Sequence, residues 1–130
     1  MQQVYSPYNQ YRQHQNNAVQ DADPVTLITM LLEGAISLNK KAKLCLEQDD
    51  TKTALEAVEN GTKIVMHLYA SLDFDNGGEI AEKLGSLYHY VCDQYVLFQK
   101  DPKDMAPLES INQVLVTILD GWKQIPKEDK

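Results

Sequence analysis

Cysteine, histidine, basic charge and long apolar runs are all scarce in this 130-residue chain, and each shortage closes off a class of function. The two cysteines, Cys45 and Cys92, have no CxxC spacing and sit in apolar runs, so they read as small buried hydrophobes in a reducing compartment. No stretch approaches the roughly 18 uninterrupted apolar residues of a membrane span, and no basic start leads into an apolar leader. The expectation is a soluble, cytoplasmic protein without membrane insertion. Lys and Arg number 12 against 19 Asp and Glu, a formal charge of -7, which argues against non-specific nucleic-acid binding. The densest basic run, Lys40 to Lys43, is short and soon followed by acidic residues.

Catalytic and metal signatures are missing too. No GxSxG, P-loop or HExxH occurs. A di-iron bundle wants Glu-x-x-His pairs, but Tyr11, Ile64 and Ser86 stand three before His14, His67 and His89. Glu79 and Glu82 fall in an expected first helical turn, where carboxylates favour the helix dipole. Asn60 to Thr62 matches a glycosylation sequon inside an expected helix and carries no weight. No catalytic residue, metal ligand or cofactor is expected.

What is present divides at Asp23. Nine of the first 20 residues are Gln or Asn, too few apolar groups to offset the ordering entropy, so residues 1–22 are expected to be a mobile or short-helical segment. Residues 23–125 are periodic, and 126–130 form a tail. Asp23 caps a first helix with Pro24 at its first position, and Ile28, Leu31, Ala35, Leu38, Ala42 and Cys45 step along it. After "QDDT" come Ala54, Val58, Gly61, Val65, Leu68 and Leu72. "DFDNGG" is expected to break the chain, with Asp75 or Asn76 capping a third helix that carries Ala81, Leu84, Tyr88, Val91, Tyr95 and Phe98. A fourth helix carries Leu108, Ile111, Leu115, Ile118, Trp122 and Ile125. Four seams averaging 3.5 residues, joined by short loops, predict an all-α, antiparallel up-down four-helix bundle.

Two features exceed what a bundle needs. Beside the seams stand further apolar residues, Leu27, Met30, Leu32 and Ile36 on the first helix, Ala57, Ile64 and Met66 on the second, Ile80 and Leu87 on the third, Val114 and Val116 on the fourth. Each predicted helix also holds one glycine, Gly34, Gly61, Gly85 and Gly121, at up to about 1 kcal/mol apiece relative to alanine. Close helix packing is one account of these glycines, and a shallow groove for another backbone is the other.

The stretches "YNQYRQHQNNAVQDADPVTLITMLLEGAI" and "LDFDNGGEIAEKLGSLYHYV", followed by a last helix ending in a tryptophan, resemble the flagellar secretion chaperone family FliS over about residues 5 to 125. That resemblance implies a cytoplasmic export chaperone that binds the disordered C-terminal segment of flagellin in hydrophobic grooves and prevents its premature polymerisation. The flagellar export apparatus, an anti-sigma factor and other flagellar regulators are further partners it suggests, and a regulatory adaptor is the alternative reading. It also implies that the Tyr5, Tyr8 and Tyr11 segment folds over the groove as a lid. Spacing by three puts successive rings about 60° apart on a helical face, where they could dock together. The residues chosen to line the client groove are Leu27, Leu31, Gly34, Gly61, Ile64, Leu68, Leu84, Tyr88 and Tyr95. Periodicity alone does not separate a side chain lining a groove from one facing the core.

Overall fold

The computed structural model describes residues 23–125, and the lid tyrosines and the tail lie outside that range. Four helices fill it: α1 (Pro24–Glu47), α2 (Thr51–Ala70), α3 (Phe74–Lys100) and α4 (Ala106–Lys123). Connectors of three to five residues span far less than the roughly 30 Å length of a 20-residue helix, so each helix must turn back along its predecessor. The result is the expected four-helix bundle, in which each helix packs on two neighbours around a four-sided ring.

Aspartates start three of the helices. Asp23 accepts the Thr26 amide at 2.7 Å with Pro24 leading the helix. Asp50 accepts the Thr53 amide at 3.1 Å, directly after Asp49 turns the chain with φ 61. Asp73 accepts both the backbone and side-chain amides of Asn76, at 3.1 and 2.7 Å. The third cap is therefore Asp73, not Asp75 or Asn76. The glycine pair does interrupt the helix, as expected, but one short turn forms behind Asp73 first: Gly78 then takes φ 55 and ψ -129, a non-helical conformation open almost only to glycine, before the long part of α3 runs on. At α4 the Asp104 carboxylate accepts the Ala106 amide at 3.0 Å, and Pro107 follows inside the first turn.

The seams meet in the middle. Leu32, Ala35, Ala42, Ala54, Val58, Val65, Val91, Phe98, Ile111 and Leu115 are fully buried. Ile125, expected to continue the fourth seam, is instead exposed beyond the end of α4. Pro126 follows it in the sequence, and a residue before proline is disfavoured in helical conformation.

One layer of this core is polar. The Tyr95 hydroxyl on α3 donates to Asn39 Oδ1 on α1 at 2.9 Å. Asn39 Nδ2 donates in turn to Asn112 Oδ1 on α4 at 2.8 Å, and Asn112 Nδ2 reaches the Ile36 carbonyl at 3.5 Å. Helix α2 contributes Gly61, where a Cβ would lie 2.7 Å from the Tyr95 oxygen and 3.3 Å from Asn39 Oδ1. All four helices thus converge on one hydrogen-bonded layer, and every buried side-chain nitrogen or oxygen among the described residues has a partner.

Candidate docking surfaces around helix α4

Helix α4 buries Leu108, Ile111, Leu115, Ile118 and Leu119, and its outward positions are left to shape the surface. On one flank, between α4 and α1, lies an open groove of about 760 Å³. Lys40 and Lys43 form its α1 wall, Met105, Glu109, Gln113, Val116 and Thr117 its other wall, and Asn39, Leu108 and Asn112 reach its floor. Lys43 and Glu109 approach across it to 4.0 Å, but both side chains are about half exposed, so the pair is a weak strut rather than a closed gate. Val116, an apolar side chain, keeps 41% of its surface in solvent.

On the other flank Gln113 and Thr117 also border a shallower hollow of about 270 Å³, with Val114 and, from α3, Leu87. Leu87 is exposed, and nearby the Tyr90 and Ser110 hydroxyls are hydrogen-bonded at 2.7 Å, tying α3 to α4. A further hollow of about 240 Å³ at the bundle end joins Val25, Thr26 and Thr29 of α1 to Trp122, Lys123 and Ile125. The Gln113–Thr117 ridge therefore stands between two adjacent grooves, as an amphipathic visitor wrapping α4 would require.

Electrostatics reinforce the division between sealed interior and open rim. Burial pushes the Tyr88 phenol up to about 12, with the Trp122 indole offsetting part of the effect. Burial likewise raises the Tyr95 phenol, against the hydrogen bond to Asn39. The Cys92 thiol is raised by desolvation and by neighbouring Asp93, which leaves it a poor nucleophile. Among the described residues no three His, Cys, Asp or Glu side chains are grouped to hold a metal ion. No described helix is long and apolar enough to cross a membrane.

The residues expected to line a groove are placed differently. Leu31, Gly34, Gly61, Ile64, Leu68, Tyr88 and Tyr95 are buried in the interior, and only Leu27 and Leu84 are half-buried at its edge. The surplus apolar positions of α1 share this fate: Leu32 and Ile36 are buried because α1 packs against both α2 and α4, and a helix with two neighbours needs a wide apolar stripe. Of the surplus positions, those left exposed are on the other helices, at Met66, Ile80, Leu87 and Val116, while α1 exposes Leu44 near its end. Sequence reasoning passed over Asn39 and Asn112. The signal was there, since Asn39 lies four residues after Ala35 and seven after Leu32, where only an apolar or a paired polar side chain fits.

The profile of the family described as "Flagellar protein FliS" matches residues 7–129. The flagellar secretion chaperone FliS of Salmonella typhimurium is 39% identical over 110 residues, 84% of this chain and 81% of that protein. The protein of the same name from Campylobacter jejuni is 30% identical over 118 residues, covering 91% and 89% of the two chains. That from Bacillus subtilis is 26% identical over 128 residues, 98% of this chain and 91% of that one. With a bundle of four helices and a family match across nearly its whole length, this chain belongs to the flagellar protein FliS family.

Proposed function

We propose that this protein is a cytoplasmic flagellar export chaperone, which binds the disordered C-terminal segment of flagellin and keeps it from polymerising before secretion. The names of its relatives support the chaperone role. The single observation that carries the docking mode is the open α1–α4 groove, set beside the hollow at Leu87 with only the Gln113–Thr117 ridge between them. A client helix laying its apolar face on Val116 and Met105 would gain burial without prying the core apart. The work is binding, not catalysis. Because the client orders as it binds, much of the gain from burial is offset by lost chain entropy, and affinity should track apolar area.

Leu27 and Leu84 extend the proposed client surface, while the seven buried candidates shape it from beneath. Tyr5, Tyr8 and Tyr11 are proposed as an internal lid that competes with the client. Titration calorimetry with a synthetic peptide of the last 40 or so residues of the host flagellin tests both ideas. Submicromolar binding with a negative heat-capacity change is expected, weakened at least tenfold by Val116→Lys, which is about 1.4 kcal/mol or more. Deletion of residues 1–17 should change the affinity, and an unchanged value would dismiss the lid. Absence of binding would remove flagellin as client and bring forward an adaptor for an anti-sigma factor or another flagellar protein.

A further inference from the structure

At the opposite corner of the bundle, the chain builds a small pocket that the flagellin reading does not use. The Gly78 bend swings the first turn of α3 so that the Phe74 ring lies over Gly85, where a Cβ would come within 3.2 Å of it. Tyr69 from the end of α2 meets Phe74 edge to face, with centroids 6.1 Å apart and planes at 63°. Both rings are exposed, at 42% and 43%. They border a hollow of about 410 Å³ completed by Glu82, Gly85, Ser86 and His89.

The charge of this corner is one-sided. Between residues 73 and 83 stand Asp73, Asp75, Glu79 and Glu82 against Lys83 alone, and Lys83 does not line the hollow. Among the described residues no basic side chain comes within ion-pair distance of Glu82, and His89 is turned to Asp93, with Nδ1 3.4 Å from its carboxylate. An apolar guest would strip water from Glu82 with no return, and an anion would be repelled. A guanidinium fits both halves, its plane over an aromatic face and its N–H groups toward Glu82 and the Ser86 hydroxyl.

We infer that the Tyr69–Phe74–Glu82 hollow is a docking pocket for an arginine side chain presented by a basic segment of a partner protein. Gly78 and Gly85 are then positioning residues, one aiming Phe74 and the other giving its ring room. The pocket is separate from the α4 grooves, so its occupancy and client binding can fail independently.

The test titrates N-acetylarginine amide into the isotope-labelled full chain at constant ionic strength, with N-acetylcitrulline amide, the neutral isostere, as the comparison. The expected result is saturable shifts at the Gly85, Ser86 and His89 amides, with citrulline at least fivefold weaker. Glu82→Gln, an exposed change that leaves the fold alone, should weaken the arginine response at least threefold, and Gly85→Ala should weaken it by displacing Phe74. Equal responses to the two probes, or an unaltered Glu82→Gln, would overturn the assignment. Shifts of similar size at Asp101 and Asp104, at the other end of α3, would reduce it to diffuse charge attraction. Tighter binding in Arg12→Gln would also overturn it, by making the chain's own Arg12 the occupant.

Discussion

Two glycines inside helices pull in opposite directions, because one is crowded and the other is not. At Gly61 a methyl group would press into the Tyr95 hydroxyl at 2.7 Å. The neighbour is a ring held in the core, so it has little room to yield, and Gly61→Ala is expected to destabilise by about 1–3 kcal/mol despite the better helix propensity of alanine. At Gly121 nothing among the described residues lies within 4 Å of the added carbon, so Gly121→Ala should stabilise by about 0.5–1 kcal/mol. Urea denaturation of the two variants checks the pair, and equal signs would refute the packing account. A Tyr95→Phe background should relieve much of the Gly61→Ala penalty, which a double-mutant cycle reads as coupling. The buried phenols give a second residue-scale prediction. With Tyr88 and Tyr95 raised in the fold, the native state holds their protons more tightly than the unfolded chain. Their contribution is therefore complete below the unfolded phenol value near 10 and is lost as pH rises toward 12. An ultraviolet titration should show these two phenols ionising only together with unfolding, whereas smooth ionisation with the helical signal intact would contradict their burial.

Helix starts follow from single aspartates, and this is where sequence and structure can be compared most directly. Asp23 followed by Pro24 was legible because a capping carboxylate and a proline at the first position both match what a helix start requires. The break at "NGG" was legible and is present at Gly78, but the short turn that Asp73 caps ahead of it was not, since no one-dimensional pattern says that helix will form on both sides of the glycine pair. Likewise the seams identified the core correctly through Val58, Val65, Tyr88 and Tyr95. They could not single out a groove, because surplus apolar residues on α1 mark either an exposed face or a second buried one, and only the packing partners decide. Asp50 and Asp73 carry a prediction of their own at this scale. Hydrogen bonds from Thr53 and Asn76 hold their carboxyls below the ordinary carboxylate value. Each cap's contribution is therefore present above the unfolded value of about 4 and is lost as pH falls through the lower folded value. The protection of the Thr53 and Asn76 amides, that is, exchange relative to the intrinsic rate at each pH, should fall in that acid window, and Asp50→Asn or Asp73→Asn, which keep a capping oxygen but no titrating group, should flatten the dependence. Identical acid profiles in the variants would assign the effect to other groups.

Across the whole molecule, four apolar seams of similar period leave one question open: what stops a helix from slipping a turn against its neighbours? Leucine, valine and alanine pack nearly as well one turn along, so apolar burial supplies stability with little preference for register. The Tyr95–Asn39–Asn112 layer supplies that preference, since these three side chains satisfy one another only when α1, α3 and α4 are aligned and Gly61 of α2 faces the hydroxyl. A slip would bury at least one amide and one phenol without partners, at about 1–3 kcal/mol each. The layer also reaches the surface, because Asn39 and Asn112 form part of the floor of the α1–α4 groove, so the alignment of the bundle and the shape of its proposed client site are fixed by the same atoms. Removing half of the layer should therefore hurt more than removing all of its buried part. Asn39→Leu alone strands the Tyr95 hydroxyl and is expected to cost about 2 kcal/mol or more. Asn39→Leu with Tyr95→Phe removes both buried polar groups, leaves half-buried Asn112 free to bond water in the groove, and should recover at least half of that loss. Urea midpoints measure the recovery, and the number of amide peaks in the double variant measures register: duplicated or broadened signals along α1 and α4 are expected beside near-normal stability. A double variant whose loss equals the sum of the singles, or one as uniquely ordered as the parent, would mean that the apolar seams set the register unaided.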